Sequence, residues 1–193
     1  MGIQESIQPL PVSDWPRGLD NIIADMGGKP INVHKLMAHN PGLLHAWWQL
    51  RNYLVAGGSL GKRRGELVIL RVAIHMQTWY EWGSHVERAL ACGIREEEIE
   101  RIHLKEPGAD WDAAEALLLR AVDALVEQHR LPPPLLSELR QHFSDAEIMD
   151  VMAIQGMYVT LACMIRSWGL ELDEHIHSRL PEEFLNSGVP EFT

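Results

Sequence analysis

The side chains best suited to chemistry are gathered between Glu66 and His85. Thr78 follows Glu66 by twelve residues, Glu81 follows Thr78 by three, and His85 follows Glu81 by four. On a helix, residues i and i+4 share a face, so Glu81 and His85 are placed to hydrogen-bond, with Thr78 one turn earlier. Trp79, Tyr80 and Trp82 surround them with aromatic surface. A carboxyl and an imidazole removed from water have shifted proton affinities, which suits general acid–base work. The same pair on a solvated helix contributes only about 0.2–0.5 kcal/mol and does no chemistry. Burial separates the two readings. Glu66 is ordinary as an acidic residue early in a helix, but Leu67, Val68, Ile69, Leu70, Val72 and Ala73 follow it. A carboxylate in such a segment needs a partner, because an unpaired buried charge is costly. Arg71 is a candidate anchor for a substrate carboxylate, against the competing role of an ion-pair partner. His75 reads as a satisfied core histidine.

The elements that must hold these residues read as helices throughout. Asn40-Pro41 is a start signal, with Asn as N-cap and Pro at the first helical position. Leu43, Leu44, Trp47, Leu50 and Leu54 continue it until Gly57-Gly58. Ser59 is a candidate cap for the next helix, which is apolar nearly all round and therefore central. A break is expected near Gln77-Thr78, then a helix from Tyr80 to Ala91, and a short acidic one from Arg95 to Ile102. Ala113–Gln128 is helical up to the Pro132-Pro133-Pro134 break, and Leu135–His142 is a short helix. Ser144 to Glu147 is a capping-box pattern opening a helix from Ala146 to about Trp168. The chain therefore reads as all-α, with roughly six to eight helices. Three regions are expected: an N-terminal arm at 1–28, loosely packed and rich in Pro, Gly and Asp, a helical domain at 29–180, and a tail at 181–193. The segment opening at Glu66 is echoed at Glu147, and that echo places Arg166 where His85 stands.

Composition narrows the function classes. The 193 residues are 46% hydrophobic and 23% charged, enough for a sizeable core in one domain. The formal net charge of −10 argues against nucleic acid and against an anionic membrane surface. Cys92 and Cys163 form neither a CxxC nor a zinc pattern. His34, His39 and His45 lack metal spacing, so no metal is expected. No signal-peptide pattern opens the chain, and the loose myristoylation match at Met1–Ser6 reads as chance. The apolar run Ile148–Ile165 carries Asp150, Gln155 and Gly156, so it reads as a buried helix and not a membrane span. The expected compartment is the cytoplasm. Trp47-Trp48 and Met149, Met152, Met157 and Met164 read as core or subunit contact.

The segment E-L-V-I-L-R-V-A from Glu66, followed by Y-E-W-x-x-H from Tyr80, resembles the carboxymuconolactone decarboxylase family, which also contains the alkyl hydroperoxidase D-like proteins. The clearest resemblance runs from about Ser59 to Ile102 and continues more weakly from Ala113 to Trp168, with the arm up to Gly28 outside it. It implies a helical bundle assembled as a trimer or hexamer. The peroxidase branch carries C-x-x-C-x-x-x-H with a Glu twelve residues before the first Cys. Here those places hold Glu66, Thr78, Glu81 and His85, so both cysteines are replaced. Thiol peroxidase activity needs a low-pKa thiolate, which Thr78 cannot supply. The resemblance thus implies a cofactor-independent carboxy-lyase acting on a small carboxylated lactone or enolisable acid. In that reading Glu66, Glu81 and His85 are catalytic. His85 is the acid or the oxyanion donor, Glu81 orients and charges it or transfers the proton itself, and Glu66 is the second carboxylate. Arg71, Thr78, Tyr80 and Trp82 would line the substrate. The competing readings are an alkyl hydroperoxidase D-like peroxidase and a non-catalytic helical oligomer.

Overall fold

A computed structural model describes residues 7–102 and 111–173. Among these residues it is all-α: nine α-helices and one 3-10 turn at Val12–Asp14. The helices are α1 (Asp20–Asp25), α2 (Asn32–Met37), α3 (Pro41–Val55), α4 (Lys62–His75), α5 (Trp79–Ala91), α6 (Glu96–Arg101), α7 (Ala113–Gln128), α8 (Pro133–Leu139) and α9 (Asp145–Trp168). The tail at 181–193 and the Met1–Ser6 pattern lie outside the described residues.

Local chemistry sets most of the boundaries. Asn40 caps α3, its side chain accepting from the Leu43 amide at 3.1 Å, with Pro41 next. Asp112 caps α7 by accepting from the Ala114 and Glu115 amides. Ser144 and Glu147 close a reciprocal capping box on α9. Ser59 does not cap α4, as its position had suggested. Gly61 holds the N-cap position, and the Ser59 amide donates to the Asp150 carboxylate of α9, as do the Leu60 amide and the Tyr53 hydroxyl. Asp150 thereby fixes the α3–α4 connection. Gly58 sits there at φ 50°, and a Cβ on it would lie 2.5 Å from Asp150 Oδ2.

Helix α4 is the centre of the bundle. From Gly65 to Ala73 every residue is buried, and α5, α7 and α9 pack around it. At its C-terminus Gln77 takes φ 50°, a left-handed conformation that ends α4 and turns the chain into α5. That reversal lays α5 along α4 and brings His85 beside Glu66. Helix α9 is long and apolar enough to cross a membrane by length and composition, but half of its apolar window is buried in this fold.

The N-terminal region departs from the expected loose arm. Leu19 and Ile22 are 2% and 0% exposed, and Trp15 joins the same core. A few large apolar residues spaced along a Pro- and Gly-rich stretch are enough to dock it. This segment adds α1, and α2, which follows it, supplies one wall of the pocket described next.

Candidate functional site

A pocket opens between α2, α3, α5 and α9, with His34, Arg51, Glu81, Ser84, His85, Arg88 and Tyr158 among its lining residues. His85 and Tyr158 line it, and Glu66 on α4 backs His85 from behind the wall. Glu66 Oε2 accepts from His85 Nδ1 at 2.7 Å, and the Tyr158 hydroxyl stands 3.0 Å from Nε2. A carboxylate only accepts, so Nδ1 carries the proton, Nε2 is the acceptor and the phenol donates to it. The Tyr158 and His85 rings meet edge to face, their centroids 5.0 Å apart. Burial holds His85 below its ordinary value despite the opposing pull of Glu66, which keeps the ring neutral at pH 7. Burial pushes the Tyr158 phenol up, and the Glu66 charge adds to this, so the hydroxyl keeps its proton.

Glu81 is the unusual member. It is 2% exposed, and neither of its carboxyl oxygens has a hydrogen-bond partner among the described residues. Burial raises it well above the ordinary carboxylate range. The nearby Thr78 hydroxyl, which donates to the Met76 carbonyl at 3.3 Å, opposes that shift without cancelling it. Burial therefore favours the neutral acid form of Glu81, which can donate, at the pocket wall. The anticipated Glu81–His85 hydrogen bond does not form, because Glu66 on the facing helix takes Nδ1 and Tyr158 takes Nε2. Orienting the imidazole is thus the work of Glu66 and not of Glu81.

The residues expected to line substrate are dispersed. Tyr80 lines the pocket, but its hydroxyl donates to Asp173 at 2.5 Å and accepts from the Val33 amide. Trp82 is 1% exposed, a core side chain. Thr78 lines a separate cavity with Gln77, Trp79, Arg166 and the segment 169–172. Arg71 is held away from the pocket, with Nε and Nη2 on the two oxygens of Asp123 at 2.6 and 2.8 Å and Nη1 on the Ile102 carbonyl. His75 bonds the same Asp123 at 2.6 Å. Arg166, the echo of His85, donates to the Met76 carbonyl at 2.9 Å and stays outside the pocket. Glu147, the echo of Glu66, is a cap residue paired with Arg64.

Sequence reasoning missed Tyr158, Arg51 and Arg88, and gave His34 no role beyond lacking metal spacing. A polar ring in the apolar run of α9 was the available signal for Tyr158. No group of three or more His, Cys, Asp or Glu able to hold a metal occurs among the described residues. Cys92 is half-buried at the end of α5 and Cys163 is exposed on α9. Neither lines the pocket.

A helical bundle centred on a buried Glu–His pair describes the class, and comparison with known proteins shows what it is similar to. Residues 41–124 match the carboxymuconolactone decarboxylase family. That match spans α3 to α6 and most of α7. A search of curated protein sequences gave no match. Among solved structures, a variant of the debrominase Bmp8 in complex with 2,3,4-tribromopyrrole superposes with a TM-score of 0.78 at 17% identity, covering 94% of this chain and 98% of that one. An uncharacterized peroxidase-related protein from Silicibacter sp. TM1040 gives 0.76 at 19% identity, covering 92% and 96%. The alkylhydroperoxidase AhpD core protein from Ralstonia eutropha JMP134 gives 0.76 at 20% identity, covering 91% and 98%. At these identities the likeness shows a shared fold. Its coverage takes in much of the N-terminal region that had been set apart as an arm.

Proposed function

We propose that the chain is a cofactor-independent acid–base enzyme that decarboxylates, or moves a proton on, a small carboxylated lactone or enolisable acid. The observation that carries this is one pocket lined both by the His85–Tyr158 pair that Glu66 orients and by a buried, unpartnered Glu81. An unsatisfied buried carboxyl costs about 1–3 kcal/mol, a cost that a role toward a ligand explains.

In the decarboxylation the bond from ring carbon to carboxylate breaks and CO₂ leaves. The electron pair moves into the lactone carbonyl as an enolate. The Tyr158 hydroxyl donates to the developing oxyanion, its proton drawn away from His85 Nε2. Glu81 then gives its proton to carbon and is reprotonated from solvent, so one proton is taken up for each CO₂ released. Glu66 and His85 position the phenol. Met157, Leu161 and Ile165 supply apolar wall beside these groups.

Thiol peroxidase chemistry is the weaker alternative, since Thr78 and Glu81 stand where the cysteines would be. The exposed apolar side chains Leu43, Leu50 and Tyr53 on α3 and Met149 and Met152 on α9 support assembly into a homo-oligomer, which light scattering on the purified protein tests. For the activity, freshly prepared 4-carboxymuconolactone should be consumed with CO₂ release in the presence of a chelator. His85→Ala should lower the rate about 10²–10⁴-fold with the fold retained by circular dichroism. Absence of turnover by folded wild type with this and related carboxylated lactones and enolisable acids would sink the reading.

A further inference from the structure

Two guanidinium groups reach the pocket from different helices, Arg51 from α3 and Arg88 from α5. Neither forms an ion pair with a carboxylate among the described residues. Arg51 lies 4.6 Å from the centroid of the Trp48 ring and gives Nη1 to the neighbouring Asn52 side chain at 3.0 Å. Trp48 is itself fixed, its indole N–H donating to Asp25 at 2.7 Å. The His34 ring meets Trp48 edge to face at 5.2 Å. It is 5% exposed, with no partner for Nδ1. Burial first, then the charges of Arg51 and Arg88, lower His34 to about 3. Arg51 in turn is lowered by burial and by Arg88, against the opposing pull of Tyr158 and Asp25. The region is thus built with two like charges and two buried, unpartnered polar side chains, His34 and Glu81.

We infer that Arg51 and Arg88, with His34 between α2 and the pocket, form the subsite that anchors the carboxylate of a small organic acid, leaving its reactive carbon toward Glu81 and Tyr158. A planar carboxylate accepts two hydrogen bonds from each guanidinium fork it meets and relieves the repulsion between the two cations. Neutral His34 adds a donor without adding charge. The assignment deepens the acid–base reading of the same pocket, and it replaces Arg71, whose fork is already filled by Asp123.

The probe is 2-furoate, a five-membered ring bearing a carboxylate, set against its neutral isostere 2-furamide. Binding is read from tryptophan fluorescence, since Trp47 lines the pocket. Furoate should bind at least about tenfold more tightly than furamide, within the range for charge-assisted contacts. Arg51→Gln and Arg88→Gln should each weaken furoate by tenfold or more and leave furamide unchanged. Arg120→Gln, at an exposed arginine paired with Glu138, should bind as wild type does. Thermal unfolding of each variant checks folding, and Arg88→Lys should retain intermediate affinity if charge and fork geometry both count. Equal binding of acid and amide, or furoate affinity unchanged in both Gln variants, overturns the inference. The measurement needs no turnover. Selective furoate binding without decarboxylation keeps the anchor and removes the reaction. Turnover with an unchanged KM in both variants keeps the reaction and removes the anchor.

Discussion

Helix α4 carries two polar clusters, and they are built on opposite plans. On one side Arg71 meets Asp123 through both oxygens, His75 shares that carboxylate, and the Ile102 carbonyl takes a further guanidinium N–H. Every strong donor there has an acceptor, and the cluster ties α4 to α7 and to the end of α6. On the other side Glu66 holds His85, and His85 holds Tyr158, but Glu81 has no partner and the nearby Arg51 and Arg88 form no direct ion pair among the described residues, Asp25 acting on Arg51 only from a distance. Both clusters contain a carboxylate–imidazole pair, so the motif does not distinguish them. What distinguishes them is whether the network closes. A closed network serves the fold, and an open one in a pocket costs stability that only a ligand recovers.

The largest expected effect comes from the same kind of substitution made in each cluster. Arg71→Met leaves Asp123 in a low-dielectric site without its main partner, and should cost about 3–5 kcal/mol in urea unfolding. Glu81→Met removes an unsatisfied group and keeps the shape, so it should be neutral or stabilising by about 1 kcal/mol while turnover is lost. Equal destabilisation by both variants would erase the distinction, since it would mean Glu81 is as well satisfied as Arg71.

The pH dependence of stability sharpens the comparison, because the titrating groups pull in different directions. His34 binds a proton at about 6.5 when unfolded and only near 3 when folded. Between those values the unfolded state holds the extra proton, so stability rises with pH by about 1.4 kcal/mol per unit. His34→Gln should flatten that limb. Glu81 works the other way. Its folded-state affinity is raised, so the folded state holds the extra proton above pH 4.5. Stability then falls as pH climbs toward the folded value, and Glu81→Gln should remove this fall. Asp123, held below its ordinary range mainly by His75 and Arg71 against the cost of burial, stabilises above about pH 3.8. That contribution is lost as pH drops through its folded value. Urea unfolding of wild type and the two variants from pH 3 to 8 resolves these limbs. A Glu81→Gln curve parallel to wild type above pH 5 would show that Glu81 is ionised in the pocket.

Much of the scaffold was legible because local chemistry set it. Asn40-Pro41, Asp112 and Ser144–Glu147 mark helix starts through their own side chains, and Pro132 to Pro134 separates α7 from α8. The region before residue 40 was not legible in this way. Neither α1 nor α2 has a side-chain cap, and what docks the segment is Trp15, Leu19 and Ile22 meeting the core. Glu66, Glu81 and His85 were found as a group, but their pairing was not. The i, i+4 rule brings Glu81 close to His85, yet it cannot register that α4 runs alongside and offers Glu66, or that Tyr158 arrives from 73 residues away. The competing reading of Arg71, an ion-pair partner, is the one the structure shows, and its partner was not legible for the same reason. What uses up Arg71 is Asp123, 52 residues further on, and nothing in the spacing announces that pair.

The smallest expected effect bears on the alternative reading of the pocket. A peroxidase of the alkyl hydroperoxidase D type attacks peroxide with a thiolate and resolves the product with a second thiol, so its activity vanishes with its cysteines. Here Cys92 ends α5 beyond His85 and Cys163 lies on the exposed face of α9. At the two positions where that branch carries cysteines stand the Thr78 hydroxyl, in a separate cavity, and the Glu81 carboxyl at the pocket wall. Cys92→Ser combined with Cys163→Ser should therefore leave decarboxylation unchanged within about twofold, a difference worth about 0.4 kcal/mol. Peroxide consumption in the presence of a dithiol should be no higher for wild type than for the double variant. If wild type reduced peroxide and the double variant did not, the reactive centre would be a thiol outside the pocket. The open network around Glu81 would then need another explanation.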